Sequence, residues 1–348
     1  MELESVIGLE VHAQLFTNSK MFCSCRSGYV QGLANTRVCP ICLGMPGSLP
    51  VINRQAVEFV MMTGLALNCE ISAFTQFDRK NYPYPDLMKG YQISQYLNPI
   101  AFSGWVDLVN AKRTIGITRV HLEEDVAKLQ HVKTSQGQQY SLVDVNRSGV
   151  PLMETVSEPD IRSPEEAHEY LTQLHSILQF LGVSTADMQN GAFRCDANIS
   201  LRPKGTTELQ AKVEVKNMNS FRSVYQALEF EIARQTACLE TGQRVIQETR
   251  GWNEEKQVTV SQRTKEFAHD YRYFPEPDLP PVHISEQWVS EVKGRLPELP
   301  AARRQRYILE YNLSEYDASL LTNSKSTSEF FEATLDSTPM TIEADPMN

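Results

Sequence analysis

Residues 115–128, IGITRVHLEEDVAK, read as a β-strand that closes on three consecutive acids, Glu123, Glu124 and Asp125. Adjacent carboxylates repel one another. A solvated turn tolerates them, whereas a divalent-cation site requires them. Alternation along the strand sets Arg119, His121, Glu123 and Asp125 on one face and Glu124 on the other.

Other segments carry the same kind of polar face. In residues 5–16, SVIGLEVHAQLF, Ile7, Leu9, Val11 and Leu15 share one side, and Glu10, His12 and Gln14 share the other. A half-exposed strand with a solvated front has this pattern too, so the segment alone does not define a site. In residues 193–202, FRCDANISLR, the polar side carries Arg194, Asp196, Asn198, Ser200 and Arg202. In residues 212–216, KVEVK, it carries Lys212, Glu214 and Lys216. Solvent alone does not need Glu, Asp, His, Arg and Lys grouped on one face of four strands.

Between the first strand and the first helix lie Cys23-Ser-Cys25, thirteen intervening residues, and Cys39-Pro-Ile-Cys42. Two close cysteine pairs on separate turns are how a tetrahedral zinc site is built, and a site with four thiolates has no open position, so its role is structural. Residues 77–96, FDRKNYPYPDLMKGYQISQY, mix tyrosines with Arg79, Lys80 and Lys89, and their prolines oppose a long regular element. A loop of this kind offers cations and aromatic faces together, which suits phosphates and unstacked bases. A rigid surface loop has the same composition.

Helices are expected after Asn53, after Ser163 with Pro164 at its first position and Gly182 at its end, over 220–240 capped by Asn219, and in short pieces over 285–293, 300–311 and 314–332. Residues 269–281, HDYRYFPEPDLPP, read as a Pro-rich turn, and the last residues, DSTPMTIEADPMN, as a fraying end.

The chain has 348 residues and a formal charge of −10, with 41% hydrophobic and 22% charged residues. That length favours two domains, and the acidity excludes a protein that coats nucleic acid by bulk charge. It leaves room for reading one RNA through a local patch. The N-terminus carries acids where a signal peptide needs bases, no apolar run is long enough to span a bilayer, and the cysteines are odd in number, seven. A cytoplasmic, reducing location is expected. There is no phosphate-binding G-x-x-x-x-G-K-[ST] loop, no G-x-G-x-x-G, no G-x-S-x-G elbow and no evident Cys–His pair for glutaminase chemistry. ATP, if used, must be held by carboxylate-bound Mg²⁺ and cations on a sheet.

The segments IGLEVHAQL, FDRKNYPYPD with KGYQISQ, HLEED, DVNRSGVPLMETVSEPDIRSPEEA, RCDANISLR, EVKNMNSFRSV and HDYRYFPEPDLPP resemble, in order, the B-subunit family of the tRNA-dependent aspartyl/glutamyl amidotransferases, whose archaeal E-subunit relatives share the catalytic motifs. The resemblance runs from about residue 4 to about residue 335. It implies an α+β fold: an antiparallel-sheet cradle similar to glutamine synthetase and guanido kinases, followed by a helical domain. The cradle would occupy 1–292 with a zinc knuckle over 23–42, and 293–348 would begin the helical domain. Family members continue into a tail domain that grips tRNA, whereas this sequence stops at Asn348, so a truncated form is expected.

The resemblance also implies a reaction. ATP phosphorylates the side chain of Glu on tRNA(Gln), or of Asp on tRNA(Asn), and ammonia from an amidase-type A subunit then displaces phosphate, with a small C subunit clamping the complex. Carried over motif by motif, Glu10, His12, Glu123, Glu124, Asp196 and Glu214 are the expected Mg²⁺ ligands. Arg194, Asp196, Asn198 and Glu214 are expected at the nucleotide. Glu10, His12, Glu124, Lys80 and Lys89 are expected at the chemistry, with the two lysines near the tRNA end or the ammonia path. Cys23, Cys25, Cys39 and Cys42 match a zinc knuckle that some members lack. Glu123 and Glu124 can share a cation only if the strand ends or bulges by Glu123. Two other readings fit part of the sequence: a zinc-stabilised, non-catalytic tRNA-binding or assembly subunit, and a free-standing ligase similar to glutamine synthetase. Glu124→Gln would separate the first from an enzyme.

Overall fold

A computed structural model describes residues 2–28, 32–264 and 271–337. The strand β1 (Leu3–Gln14) leads through the cysteine-bearing segment to the helix α1 (Arg54–Ala66). Short strands β2 (Glu70–Ile71), β3 (Phe74–Thr75), β4 (Asp78–Asn81) and β5 (Tyr91–Ser94) precede the long pair β6 (Ala101–Leu108) and β7 (Arg113–Glu124). Next come β8 (Lys128–Lys133), β9 (Gln139–Asp144), β10 (Pro151–Ser157) and α2 (Pro164–Leu181). Then follow β11 (Phe193–Pro203), β12 (Val213–Met218), α3 (Phe221–Glu240), β13 (Glu248–Asn253) and β14 (Val258–Thr264). The chain closes with β15 (Phe274–Pro275), β16 (Val282–His283), α4 (Glu286–Lys293), α5 (Pro300–Tyr311), α6 (Glu315–Thr322) and α7 (Lys325–Ser337).

The main sheet has nine strands in the order β14-β13-β12-β11-β1-β10-β7-β6-β2. Every pairing in it is antiparallel except β12 with β13, so the α+β expectation holds. Antiparallel sheets can keep one face wet. Here Ile7, Leu9 and Val11 of β1 point into a core shared with Val60 and Met61 of α1, Leu171 and Leu174 of α2, and Val224 and Leu228 of α3. The helices thus cover one face. The opposite face carries the acids and histidines of β1, β7, β10, β11 and β12.

Local chemistry accounts for the helix ends. The Asn53 side chain accepts from Ala56 N, and the Ser163 hydroxyl accepts from Glu166 N. Gly182 ends α2 at φ 69°, where a Cβ is disfavoured. The cap of α3 is Ser220, whose hydroxyl accepts from Ser223 N, not Asn219. The expected helix over 314–332 is two helices, α6 and α7, parted at Asn323 and Ser324.

Residues 77–96 are also more regular than expected. They form β4 and β5, which pair from Asp78↔Ser94 to Asn81↔Tyr91. Pro83 and Pro85 lie in the link between those strands, where their missing N–H groups cost no ladder bond. The expected Pro-rich turn at 269–281 begins in residues outside the described ones, and from 271 it includes β15. The expected frayed end lies almost wholly outside the described residues.

The strand β7 holds the main departure. Its register against β10 shifts between Val156 and Ser157, which face Arg119 and Ile117. Upstream of the shift Ile115 and Ile117 are buried, and downstream Val120 and Leu122 are. The irregularity therefore comes well before the acids. It lets Arg119, His121 and Glu123 leave the core face that strict alternation with Ile115 would give them. No shift occurs at Glu123: the pairing continues through Glu123↔Leu152 to Glu124↔Pro151. The bulge expected by Glu123 is absent, and the two carboxylates leave the strand on opposite faces.

Candidate active site

The centre of the open face is a row across three strands. His12 on β1 lies opposite Glu154 on β10, and Glu154 lies opposite His121 on β7. His12 Nε2 is 3.5 Å from Glu123 Oε1 and 3.5 Å from Glu154 Oε2. His121 Nε2 is 3.2 Å from Glu154 Oε2. Glu123 and Glu154 are buried, while the His12 side chain keeps 20% of its surface exposed. The open side of the group is therefore at His12.

Burial opposes charge on His12, but Glu154, Glu123 and Asp196 outweigh it and raise the imidazole to about 9, so a cation bound here would have to displace a proton from His12. Burial likewise opposes ionisation of Glu154, yet His121 and His12 hold its carboxyl well below the usual range. One imidazole nitrogen and two carboxylate oxygens, from His12, Glu123 and Glu154, lie within 4.8 Å of one another. Two carboxylate oxygens and one imidazole nitrogen are hard donors, which fits a divalent cation such as Mg²⁺.

The other expected ligands stand around this group. Glu10 lies opposite Asp196, and its Oε1 accepts from Asn198 Nδ2 at 2.8 Å. Lys216 Nζ donates to Asp196 at 2.7 Å and lies 3.2 Å from Glu214. Glu214 also accepts from Thr249. Asp196 and Glu214 are thus joined through a lysine on the β11–β12 side. Glu124 is held apart: it accepts from Lys89 Nζ and from Ile93 N. Its neighbour Glu123 meets the Ser94 hydroxyl at 3.4 Å. The strand β5 thus contacts both carboxylates, but only Glu123 joins the His12 group.

Asp125 has a different place. Its carboxylate accepts from Gln14 Nε2 at 2.7 Å and from Arg194 Nη2 at 2.9 Å, with Arg147 Nε 3.7 Å away. The third acid of the triplet therefore anchors two polar side chains of the open face. Lys80, on β4, borders the group as well. Burial disfavours its charge, but Glu123, Tyr273, Glu154 and Tyr82 raise its ammonium above the ordinary lysine range.

Glu154 is the residue that sequence reading missed. Its neighbours on the same face of β10 are Leu152 and Val156, so no polar alternation marks it. The available signal is a single carboxylate inside the apolar run Val150-Pro-Leu-Met-Glu-Thr-Val156, because a buried charge must find a partner.

The cysteine segment forms a second group. The sulfurs of Cys23, Cys25, Cys39 and Cys42 lie within 4.8 Å of one another, and Cys39 and Cys42 are 3.8 Å apart. Tetrahedral zinc, with Zn–S of about 2.3 Å, needs sulfurs about 3.8 Å apart, so the donors fit. A hydrogen bond from Cys23 and the nearby Lys20 help lower the Cys42 thiol to about 4, while Cys23 is pushed up by the same contact. The knuckle docks on the end of β9 and the residues that follow it: Asn35 N donates to Asp144, and Asn146 Nδ2 donates to Leu33 O. Among the described residues no helix is long and apolar enough to cross a membrane.

Residues 5–290 match the family described as "GatB/GatE catalytic domain". The chain belongs to the GatB/GatE family. It is 63% identical over 337 residues to the B subunit of the aspartyl/glutamyl-tRNA(Asn/Gln) amidotransferase from Dehalococcoides mccartyi strain CBDB1, covering 96% of this chain and 68% of that relative. The protein of the same name from Thermomicrobium roseum is 56% identical over 335 residues, covering 96% of this chain and 69% of the relative. That from Thermoanaerobacter pseudethanolicus is 55% identical, covering 95% and 69%. This GatB/GatE member is thus similar along nearly its whole length to amidotransferase B subunits, including the strands that carry His12, Glu123 and Glu154.

Proposed function

We propose that this chain is the activating subunit of a tRNA-dependent amidotransferase. It would phosphorylate the side-chain carboxylate of Glu on tRNA(Gln), or of Asp on tRNA(Asn), for amidation by ammonia from an amidase-type partner, with a small third subunit completing a cytoplasmic complex. The observation that carries this reading is the His12–Glu123–Glu154 group at the centre of the sheet face opposite the helices, flanked by charged residues on both sides. Phosphoryl transfer is a matter of positioning and charge compensation, and an open antiparallel sheet supplies both without a glycine-rich loop.

ATP would supply the phosphoryl group that converts a carboxylate oxygen into a leaving group, and Mg²⁺ would offset its charge. The chain's own residues do the rest. Glu123 and Glu154 give two oxygen ligands and His12 one nitrogen, and His121 fixes the orientation of Glu154. Asp196, Asn198, Glu214 and Lys216 form the adjacent wall on β11 and β12 where a nucleotide would lie, with Arg194 steered by Asp125. Lys80 places a cation on the opposite side, beside Glu123, where a substrate carboxylate would enter. The Lys89–Glu124 pair on the far face of β7 stands outside the cation group and would serve the ammonia side. The four cysteines would hold a structural zinc.

The test is a complex of this chain with an amidase-type subunit and a small third subunit. Given ATP and either misacylated tRNA, it should release ADP and, with glutamine, form the amidated aminoacyl-tRNA. Absence of ADP with both misacylated tRNAs overturns the proposal. Turnover on free glutamate would instead favour the free-standing ligase. A non-catalytic tRNA-binding subunit would keep its function in Glu154→Gln, whereas the enzyme would lose turnover with tRNA binding intact.

A further inference from the structure

The cysteine knuckle is tied to the main sheet by backbone bonds. Lys20 N donates to Cys25 O at 2.8 Å, and Met21 N donates to Gly149 O at 2.6 Å. Gly149 N donates in turn to Asp125 O at 2.8 Å. One run of bonds thus leads from the knuckle to the acid that holds Gln14 and Arg194. A second contact leaves from the other cysteine pair. Gly44, two residues after Cys42, lies at φ 66°, and a Cβ there would come within 2.8 Å of Lys89 Cγ and 3.0 Å of Met88 O. Lys89 is the partner of Glu124.

Lys20 sits at this junction. It is 0% exposed, it makes no ion pair with a carboxylate among the described residues, and its ammonium donates to Val145 O at 3.3 Å. A buried cation needs a compensating anion. Four thiolates around zinc carry a net negative charge and supply it, and Lys20 favours the thiolate form of Cys42. The sulfurs differ in access. Cys39 is half-buried and Cys42 is buried, with their sulfurs 3.8 Å apart. A reachable sulfur beside a covered one is the arrangement in which the first is oxidised and the second resolves it.

We propose that Cys39 and Cys42 form a reversible modification site: a peroxide oxidises them to a disulfide, zinc leaves, and the bonds from Lys20 and Met21 through Gly149 to Asp125 loosen. The Cys39 sulfur attacks one oxygen of hydrogen peroxide and the O–O bond breaks. Cys39 becomes a sulfenic acid, and the other oxygen leaves as hydroxide and takes a proton to give water. The Cys42 sulfur then attacks the sulfenic sulfur, the S–S bond forms, and the second oxygen leaves with a proton as water. The two cysteines lose two electrons and the peroxide gains them. With two ligands gone, Zn²⁺ departs, and Cys23 and Cys25 take up protons. The knuckle then holds no anion for Lys20. Its ammonium must move toward solvent, which pulls on Met21 and on Gly149. The device acts on the edge of the face, at Asp125, and leaves the ligands His12, Glu123 and Glu154 in place.

The experiment adds hydrogen peroxide to the zinc-loaded chain and takes three readings. A colorimetric chelator measures released zinc, peptide mass spectrometry maps cysteine pairing, and hydrogen–deuterium exchange follows the amides of Asp125 and Gly149. About one zinc per chain should be released as the Cys39–Cys42 disulfide appears. Exchange at the two amides should quicken about tenfold or more. Dithiothreitol with added zinc should reverse all three changes. Lys20→Met should still release zinc and form the disulfide while keeping slow exchange, because no buried cation is stranded. Cys238→Ser, at a thiol outside the knuckle, should respond as the parent does. Thermal melts before oxidation confirm that the variants fold, and the parent's own readings decide the proposal even if Lys20→Met does not. Zinc retained under peroxide, a disulfide that omits Cys39 or Cys42, or zinc release with unchanged exchange in the parent overturns it. Rapid exchange in oxidised Lys20→Met overturns the part given to Lys20.

Discussion

His12 Nε2 and Glu154 Oε2 stand 3.5 Å apart across the β1–β10 pair, and the same carboxylate oxygen lies 3.2 Å from His121. Glu154 thus joins the centre of the face to its second histidine. On the proposed reading, replacing it should remove one cation ligand and release His121 at once. Glu154→Gln is expected to weaken Mn²⁺ binding at least tenfold to a hundredfold, measured by electron paramagnetic resonance. Glu124→Gln, on the other face of β7, should leave Mn²⁺ binding near the parental value. Equal losses in both variants would return Glu124 to the cation site.

Asp125 tests the proposed nucleotide wall. Its carboxylate holds Gln14 and Arg194, so Asp125→Asn should weaken the hold on Arg194 at that oxygen without touching a cation ligand. The expected result is an ATP-analogue affinity reduced about tenfold, with Mn²⁺ binding retained, read by calorimetry. Loss of both, with the fold intact by circular dichroism, would place Asp125 among the cation ligands.

How much of this was legible in the sequence depends on the kind of signal. The faces of β1, β11 and β12 are readable because their alternation is unbroken, so Glu10, His12, Asp196 and Glu214 stand out before any fold is known. Strand order is another matter. That His12 should lie between Asp196 and Glu154 follows from β1 pairing with both β11 and β10, and no local pattern encodes that choice of neighbours. Glu154 is hidden because its own face of β10 is otherwise apolar. The shift opposite Ile117 and Arg119 changes which residues of β7 face the core, and alternation alone placed that irregularity too late. The hairpin β8–β9 leaves no trace at all: it is largely exposed on both sides, so neither side needs to be apolar. The cysteine group, by contrast, needs only spacing, and the sulfurs converge as the pairs suggest.

Zinc content follows from that convergence. The purified chain should contain about one equivalent of zinc, measured by plasma mass spectrometry. Cys39→Ser combined with Cys42→Ser should abolish it and lower the melting temperature, because the knuckle braces the segment from Asp144 to Asn146 through Asn35 and Leu33. The Glu154 group should still bind Mn²⁺ in that variant if the metal's role is structural. A zinc-free parent of unchanged stability would remove the metal from the account.

A close approach in the core gives a purely steric prediction. A Cβ built on Gly104 of β6 would sit 2.3 Å from Cys69 Sγ and 2.5 Å from Leu67 O, just beyond the end of α1. Backbone cannot move aside there, since Trp105 N donates to that same Leu67 O at 2.9 Å. Gly104→Ala should cost about 1–3 kcal/mol by overpacking. Chemical denaturation measures the cost, and an unchanged midpoint would refute the contact.

The pH dependence of stability should be set in part by Glu231 of α3, far from the open face. Its buried carboxylate meets Arg234 at 2.8 Å and Arg250 at 3.1 Å, and accepts from Gln235 at 3.0 Å. Burial opposes its charge, but Arg234, Thr259 and Gln235 outweigh it and hold its pKa below the ordinary carboxylate value. A carboxyl with a depressed pKa binds fewer protons folded than unfolded, so its stabilisation is complete above its unfolded value of about 4.3 and is lost as pH falls through the lower folded one. Glu231→Gln, which leaves two arginines short of a partner, should cost about 2–4 kcal/mol at pH 7 by urea denaturation. The gap between parent and variant should narrow as pH drops below about 4. A gap that stays constant from pH 7 to pH 3 would mean that the charge of Glu231 contributes nothing and that its hydrogen bonds alone hold α3 to the β13–β14 edge.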